Sequence, residues 1–195
     1  MEPVTLRWEL PGLSTVGRQR ALGMLTVAEH TRLASMPVPQ QDSFLQGRML
    51  LRTLAAELTG VAAELIVITA VCPDCGAEHG QPMVAGSRLH VALTRCAAAL
   101  VAVASWNGAV GVDAEPMAGG EDRLDAIDAL TGIRSLQHWT AVEAVLKADG
   151  RGLRVDPREV LLEGGTGRIR HDDERYAVTT PDLDSSFAVA VARQL

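Results

Sequence analysis

The 195-residue sequence predicts an α+β fold made of two similar halves. In each half, helix-like segments come first and a series of short strand-like segments follows. The hydrophobic content of 47% is enough to form one full core or two compact halves. A Pro/Gly cluster at 116–120 marks the boundary, so we predict an N-terminal half at 1–115 and a C-terminal half at 116–195.

The first half is predicted to contain one strand and two helices followed by four strands. Asp42 is a suitable N-cap for the longer helix, and Gly60 is its stop signal. Asn107 and Gly108 form a turn signal between the last two strands, so we expect those strands to pair as a hairpin. The predicted strands are 4–8, 65–71, 88–94, 99–105 and 109–115, and the predicted helices are 16–25 and 42–59.

The second half is predicted to repeat this order with two helices and four strands. Its second helix, 137–148, is amphipathic, and Thr140, Glu143 and Lys147 lie on the side opposite the apolar stripe. Asp149 and Gly150 end this helix. The stripe consists of Trp139, Val142, Val145 and Leu146. The predicted helices are 121–130 and 137–148, and the predicted strands are 159–163, 168–171, 175–179 and 186–192.

Lys147 is the only lysine in a chain that has seventeen arginines. An ammonium is a compact charge that can give up its proton, whereas a guanidinium stays charged. This difference favours a role in proton donation for Lys147. The ordinary alternative is a surface pair between Glu143 and Lys147, four residues apart, which stabilises a helix by about 0.3 kcal/mol.

Asp113 and Glu115 are two apart on a predicted strand, so their carboxylates point to the same face. Adjacent carboxylates repel each other unless a cation lies between them. Mg²⁺ prefers oxygen ligands, usually one or two carboxylates with water and phosphate. The pair is therefore a candidate metal site, and the alternative is a solvent-facing strand end.

These two elements together resemble the 4′-phosphopantetheinyl transferases, of the monomeric type that activates surfactin synthetase. The N-terminal half adds to the resemblance: residues 26–32 are similar to the loop before the family's first long helix, 47–52 to that helix, 79–82 to a glycine-lysine-proline turn, and 93–96 to a strand end. The residues that match the family's main motif in order are Gly111, Asp113, Glu115, Trp139, Thr140, Glu143, Ala144, Lys147, Gly150, Gly152 and Leu153.

The resemblance implies two α+β halves related by a pseudo-twofold axis, with coenzyme A in the cleft between them. It implies transfer of the phosphopantetheine arm from coenzyme A to a serine of an apo acyl or peptidyl carrier protein, with 3′,5′-ADP as the leaving product. Mg²⁺, or Mn²⁺, would be held by Asp113, Glu115 and Glu143. Glu143 would accept the serine proton, and Lys147 would neutralise or protonate the departing phosphate.

The implied coenzyme contacts lie in both halves. Arg32, Arg48 and Arg95 are candidates for the 3′-phosphate, although Arg48 could instead anchor its helix. The full set is Arg32, Arg48, His79, Gly80, Gln81, Pro82, Thr94, Arg95, Asp113 and Lys147.

The chain departs from the family at three phosphate-contact positions. Val142 and Gln81 replace lysines, and Arg95 replaces a histidine while keeping a positive charge. The segment 116–138 is also short. These departures motivate an alternative function, a degenerate relative that binds coenzyme A or a carrier protein without transferring the arm.

Cys72, Cys75 and His79 have the spacing of half a zinc site, for which His90 or Cys96 would be the fourth ligand. A single C-x₂-C favours a tight turn with reduced thiols over zinc. A zinc-stapled interaction module is the third reading of the chain, although it leaves both motifs unexplained.

Charge and composition exclude several classes of protein. A net charge of −6 and only six aromatic residues argue against a nucleic-acid-binding face. The first ten residues have no apolar segment typical of a secretion signal, and the longest apolar run, 97–104, is too short to span a membrane. We expect a soluble, cytoplasmic monomer.

Overall fold

The computed structural model describes residues 4–195, which form two five-stranded antiparallel sheets and five α-helices. The predicted α+β class is confirmed. None of these helices is long and apolar enough to cross a membrane. The elements in chain order are β1 (Thr5–Glu9), α1 (Thr15–Met24), α2 (Val27–Ser35), α3 (Val38–Thr59), β2 (Ile68–Thr69), β3 (Met83–Val84), β4 (His90–Arg95), β5 (Leu100–Ser105), β6 (Val110–Pro116), α4 (Glu121–Thr131), α5 (Leu136–Asp149), β7 (Val160–Glu163), β8 (Thr166–Ile169), β9 (Arg175–Thr179) and β10 (Phe187–Gln194).

Both sheets have the same strand order. The first sheet runs β1-β5-β4-β3-β2 and the second runs β6-β10-β9-β8-β7. In each, the first strand in the chain lies at one edge and pairs with the last, and the remaining strands follow in reverse sequence order. Helices α1 to α3 connect β1 to β2, and α4 and α5 connect β6 to β7. The chain thus repeats one topology.

The predicted hairpin between β5 and β6 is wrong. Both edges of β5 are already paired, one with β1 and the other with β4, so β6 has no free edge to join. Instead β6 pairs with β10 and places Asp113 opposite Ala190. The turn at Asn107 and Gly108 therefore carries the chain from one sheet to the other. Although β6 begins before the predicted boundary at 115, it belongs to the second sheet.

Two helical starts also differ from the prediction. Residues 26–32 are not a loop, because Thr26 and Glu29 cap helix α2 reciprocally: Thr26 Oγ1 accepts from the Glu29 amide at 3.2 Å, and Glu29 Oε2 accepts from the Thr26 amide at 2.9 Å. Helix α3 begins at Val38 rather than after Asp42, since Pro39 fits the first turn, where no amide hydrogen is needed. Asp42 pairs with Arg18 instead.

The predicted strand at 65–71 is reduced to Ile68–Thr69, and Ala63–Leu65 forms a turn of 3₁₀ helix before it. The short strand Met83–Val84 was not predicted. It pairs with both β2 and β4, so the loop between β2 and β3 is held at both ends by the sheet. That loop carries Cys72, Cys75 and His79.

The core has three apolar layers, of which the middle one joins the two halves. Helix α3 packs on the first sheet through Leu50, Leu51 and Leu54, and α5 packs on the second. Strand β5 is buried on both faces, since Leu100 and Ala102 face α3 while Val101 and Val103 belong to a middle layer. The partners of Val101 and Val103 in that layer include Val110, Val112, Val189 and Val191 of the second sheet. The two halves therefore share a core.

Gly111 provides a stability test of the contact between β6 and α5. A Cβ at this position would lie 2.2 Å from Ala144 O and 2.4 Å from Ala148 N, both of them backbone atoms of α5. We expect Gly111→Ala to lower the free energy of unfolding by about 1–3 kcal/mol or more, measured by urea denaturation.

Gly23→Ala is the matched control, because Gly23 lies in helix α1 and an added Cβ would have no atom within 4 Å. Alanine should stabilise that helix by about 0.5–1 kcal/mol. Equal effects of the two substitutions would contradict the close packing of α5 on β6.

Candidate functional site

Two adjacent cavities form a groove between the halves, and we call them together the interhalf groove. The smaller cavity, about 160 Å³, is lined by Arg32, Arg48 and Arg95. The larger, about 540 Å³, is lined by Lys147 and by residues 150–154 of the second half. The two cavities share His79, Gly80, Pro82 and Leu93. A cavity of about 760 Å³ elsewhere in the second half contains none of the predicted site residues.

At the end of the groove near α5, Lys147 lines the larger cavity and contacts the carboxylates of Asp113 and Glu143. Lys147 Nζ lies 2.5 Å from Asp113 Oδ1 and 3.6 Å from Glu143 Oε2. The predicted pair with Glu143 is therefore present, but the closer partner of the lysine is Asp113 on β6, outside its own helix. The predicted polar side of α5 is also partly core, because Thr140 is fully buried and donates to Gln137 O at 3.0 Å.

Asp113 is buried, and its two oxygens have different surroundings. Oδ1 accepts hydrogen bonds from Lys147 Nζ and from Thr94 Oγ1 at 3.2 Å. Oδ2 is buried and has no hydrogen-bond partner in the described part of the chain. A buried carboxylate oxygen without a partner is costly, so this atom marks a place where a cation or a donor from a ligand would be stabilised.

Glu143 has a raised pKa. Burial is the main cause, because it penalises the charged carboxylate, and the negative charges of Asp113 and Glu115 add to it. Lys147 opposes the shift by attraction but does not cancel it. A carboxylate with a raised pKa is a better proton acceptor near neutral pH than an ordinary one.

Glu115 has partners of its own, Arg123 of helix α4 and Trp139 of helix α5. The Arg123 guanidinium forms an ion pair with Glu115 and donates to Pro116 O at 2.9 Å, while Trp139 Nε1 donates to Glu115 Oε1 at 3.4 Å. Sequence reasoning missed Arg123. It lies in the first turn of α4, and nothing in its spacing relates it to the strand motif.

As the chain is arranged, the three predicted metal ligands do not converge. Within residues 4–195, oxygens of Asp113, Glu115 and Glu143 do not form a group whose members all lie within 4.8 Å of one another. The donor set nevertheless fits a hard cation, because all three ligands are carboxylates and Asp113 Oδ2 lacks a partner.

The arginine end of the groove is strongly basic. Arg48 is buried, and its pKa is lowered to about 10, first by burial and then by the positive charges of Arg32, Arg52 and Arg95, although Glu29 opposes this. The guanidiniums of Arg32 and Arg48 lie 5.5 Å and 5.2 Å from the centre of the Phe44 ring. Such crowded cations bind an anion readily, since an anion relieves their mutual repulsion.

Glu29 anchors this basic cluster. Its buried carboxylate pairs with Arg52 at 2.6 Å and with Arg48 at 3.3 Å. Arg48 therefore anchors its helix and also lines the cavity, so both predicted roles fit its position. Sequence reasoning did not identify Glu29 as the partner, because it lies far from both arginines along the chain and no local pattern links them.

The turn at 79–82 connects the two ends of the groove. Gly80 approaches the backbone so closely that a Cβ would lie 2.4 Å from Val71 O, which explains the need for glycine. Gln81 Nε2 donates to Lys147 O at 3.2 Å across the groove. Nearby, Arg154 pairs with Asp74 at 2.5 Å, again between halves. The turn is therefore fixed against both halves.

No protein-family model matches the chain, and a search of the curated proteins finds no match either.

The raised pKa of Glu143 predicts a pH dependence of stability. Because this pKa lies above its ordinary value of 4.5, ionisation costs stability, and the loss develops as pH rises through the folded-state pKa. In Glu143→Gln the side chain cannot ionise, so it does not pay the cost of burying a charge as pH rises. Relative to the wild type, its free energy of unfolding should therefore increase as pH rises from about 4 to about 8.

The measurement is urea denaturation of both proteins across this pH range in the presence of a chelator, so that bound metal cannot compensate the charge. A constant difference between the two proteins at all pH values would show that Glu143 is not destabilised by ionisation.

Proposed function

We propose that the protein is a 4′-phosphopantetheinyl transferase that transfers the phosphopantetheine arm of coenzyme A to a serine of an apo acyl or peptidyl carrier protein. One observation carries the proposal: the interhalf groove has an arginine cluster at one end and Lys147 at the other, and Lys147 contacts the carboxylates of Asp113 and Glu143. Coenzyme A has a matching charge pattern, with a 3′-phosphate at one end of its nucleotide and a pyrophosphate at the other.

The fold supports this proposal. Two sheets of identical strand order, each packed against a helix and joined by a shared core, are compatible with the pseudo-twofold halves that the resemblance implies. The groove lies between the halves, as the coenzyme cleft of that family does. Because one chain supplies both walls, the arrangement also supports the expectation of an active monomer.

In the proposed complex, Arg32, Arg48 and Arg95 bind the 3′-phosphate. A guanidinium can donate two parallel hydrogen bonds to a phosphate, which adds direction to charge attraction. The turn at 79–82 then borders the nucleotide, with Gly80 permitting close backbone approach. Lys147 lies toward the pyrophosphate end and contributes the positive charge there.

Asp113, Glu115 and Glu143 would hold Mg²⁺ or Mn²⁺ near the pyrophosphate. The ion would supply charge neutralisation for the phosphoryl oxygens. The unpartnered Oδ2 of Asp113 supports this assignment, because it is the carboxylate oxygen most in need of a positive partner.

The transfer forms a bond between the serine oxygen and the phosphorus next to the pantetheine arm, and breaks the bond from that phosphorus to the bridging oxygen. Glu143 accepts the serine proton, for which its raised pKa suits it. Lys147 neutralises or protonates the departing phosphate of 3′,5′-ADP. An arginine would provide the charge but not the proton.

Binding of coenzyme A or a carrier protein without transfer is the second candidate function. It is favoured by the contact between Lys147 and Asp113, which already neutralises one carboxylate, and by the uncharged Gln81 at the groove. The replacement of a lysine by Val142 is weaker support for this second function than the sequence alone suggested. Val142 is fully buried in the core behind α5, so the groove wall has no gap at that position.

The decisive assay incubates the protein with coenzyme A, Mg²⁺ and a panel of apo-carrier proteins, and measures the added arm by intact mass. Transfer that stops in excess chelator and returns with Mg²⁺ would support the proposal. Binding of coenzyme A by calorimetry, with no carrier protein modified, would favour the second candidate function.

Lys147→Arg tests the proton-donor role. The variant keeps the positive charge, so its affinity for coenzyme A should change little, but turnover should fall by about 10²–10⁴, the usual contribution of a positioned proton donor. Affinity is measured by calorimetry and turnover by the mass assay.

Arg170→Lys is the control, because Arg170 is half-exposed, pairs with Glu159 and lines neither cavity of the interhalf groove. It exchanges the same two residue types in the reverse direction and should leave turnover unchanged. Wild-type turnover in folded Lys147→Arg would contradict the assignment of Lys147 as the donor.

A further inference from the structure

The loop between β2 and β3 gathers Cys72, Cys75 and His79. One ligand atom from each lies within 4.8 Å of the other two, and Cys75 Sγ is 3.0 Å from His79 Nε2. All three cysteines of the chain are free, so no disulfide competes for these thiols in this arrangement. The single C-x₂-C spacing in the sequence favoured a metal-free turn. The short distances among the two thiols and the imidazole in the structure favour a metal site instead.

The backbone of the loop holds this arrangement without help from a metal. Gly76 has a φ of +71°, a left-handed conformation that glycine adopts without strain, and its amide donates to Cys72 O at 2.9 Å. The amides of Cys72 and His79 both donate to Ala77 O, at 2.8 Å and 2.9 Å. The ligands are therefore positioned by a closed turn.

The charges of the three ligands suit a divalent cation. The thiolate is the form of cysteine that binds metal. Two thiolates would balance the charge of a divalent ion, and a neutral imidazole would complete three ligands.

We propose that Cys72, Cys75 and His79 bind one Zn²⁺ ion. Sulfur and imidazole ligands suit zinc, while the carboxylates near Lys147 suit Mg²⁺, so the two sites would not compete for the same ion. The fourth ligands considered from sequence, His90 and Cys96, do not join the cluster in the described residues. Three protein ligands leave a fourth position for a water molecule or another exogenous ligand.

The ion would stabilise the wall of the interhalf groove. The loop is tied to the arginine end, because Glu78 O accepts from Arg32 and Glu78 Oε2 accepts from the Ala70 amide at 2.8 Å. On the other side, Asp74 pairs with Arg154 of the second half. Zinc would thus stabilise a segment that contacts both halves, so its binding would increase the stability of the groove wall as well as that of the loop.

Metal binding is tested on the whole chain, purified with reductant and stripped by a chelator. Zn²⁺ content is measured by mass spectrometry of the metal after incubation and desalting, and Co²⁺ is titrated as a spectroscopic probe. We expect one ion per chain, thiolate-to-cobalt charge-transfer absorption, and a higher melting temperature after zinc is restored.

Cys75→Ser and His79→Ala each remove one exposed ligand and should weaken zinc binding more than about 100-fold, since even loss of a supporting group around a ligand costs 10–100-fold. Cys96→Ser and His90→Ala are the matched controls and should bind zinc like the wild type, because neither residue joins the cluster.

Three results would overturn the proposal. These are a cobalt spectrum without thiolate charge transfer, equal zinc affinity in Cys75→Ser and the wild type, and a Cys72–Cys75 disulfide that persists under the reducing conditions of purification. None of these measurements depends on transferase activity.

Discussion

Helix α5 lies directly on strand β6 because Gly111 has no side chain. A Cβ there would lie 2.2 Å from the Ala144 carbonyl, so the close approach exists only with glycine. This approach brings Lys147 within 2.5 Å of Asp113 and orients Glu143 toward both. It also forms the second core, in which α5 covers the sheet made by β6 to β10. The site and the fold of the second half therefore depend on the same contact.

The charges collected at this contact have no structural necessity. A buried carboxylate with an unpartnered oxygen, next to a second carboxylate with a raised pKa, lowers stability rather than increasing it. Apolar residues would pack at these positions at lower cost. Buried charges that lack full compensation are typical of sites that bind or transform a charged ligand. The arginine end has the opposite imbalance, with more guanidiniums than carboxylates around one cavity.

The sequence predicted best the elements whose pattern reflects their own burial. Strand β5 is a continuous apolar run because both its faces are buried, and α5 has clear stop signals at Asp149 and Gly150. The hairpin failed for a different reason. Asn107 and Gly108 produce a local turn of the chain, but β6 cannot pair with β5. Strand β1 already pairs with the edge of β5 that a hairpin would need.

The residues of the candidate site also fall into two groups, those predicted from the sequence and those that were missed. Asp113, Glu115, Glu143 and Lys147 were identified from spacing and from the motif resemblance. The structure places Lys147 against Asp113 and Glu143, whereas Glu115 pairs with Arg123. Glu29 and Arg123 were missed because each meets its partner only through the fold: Glu29 joins helix α2 to α3, and Arg123 joins α4 to the end of β6. Periodicity describes a single element, so it carries no signal for pairs like these.

The most direct test of the account is hydrogen exchange of the backbone amides with and without coenzyme A. Coenzyme A in the proposed complex contacts both halves at once, because both line the interhalf groove. We predict that coenzyme A will slow exchange in two separate segments, 79–81 in the first half and 147–154 in the second. Protection confined to one half, or no change in either segment at saturating coenzyme A, would contradict the account.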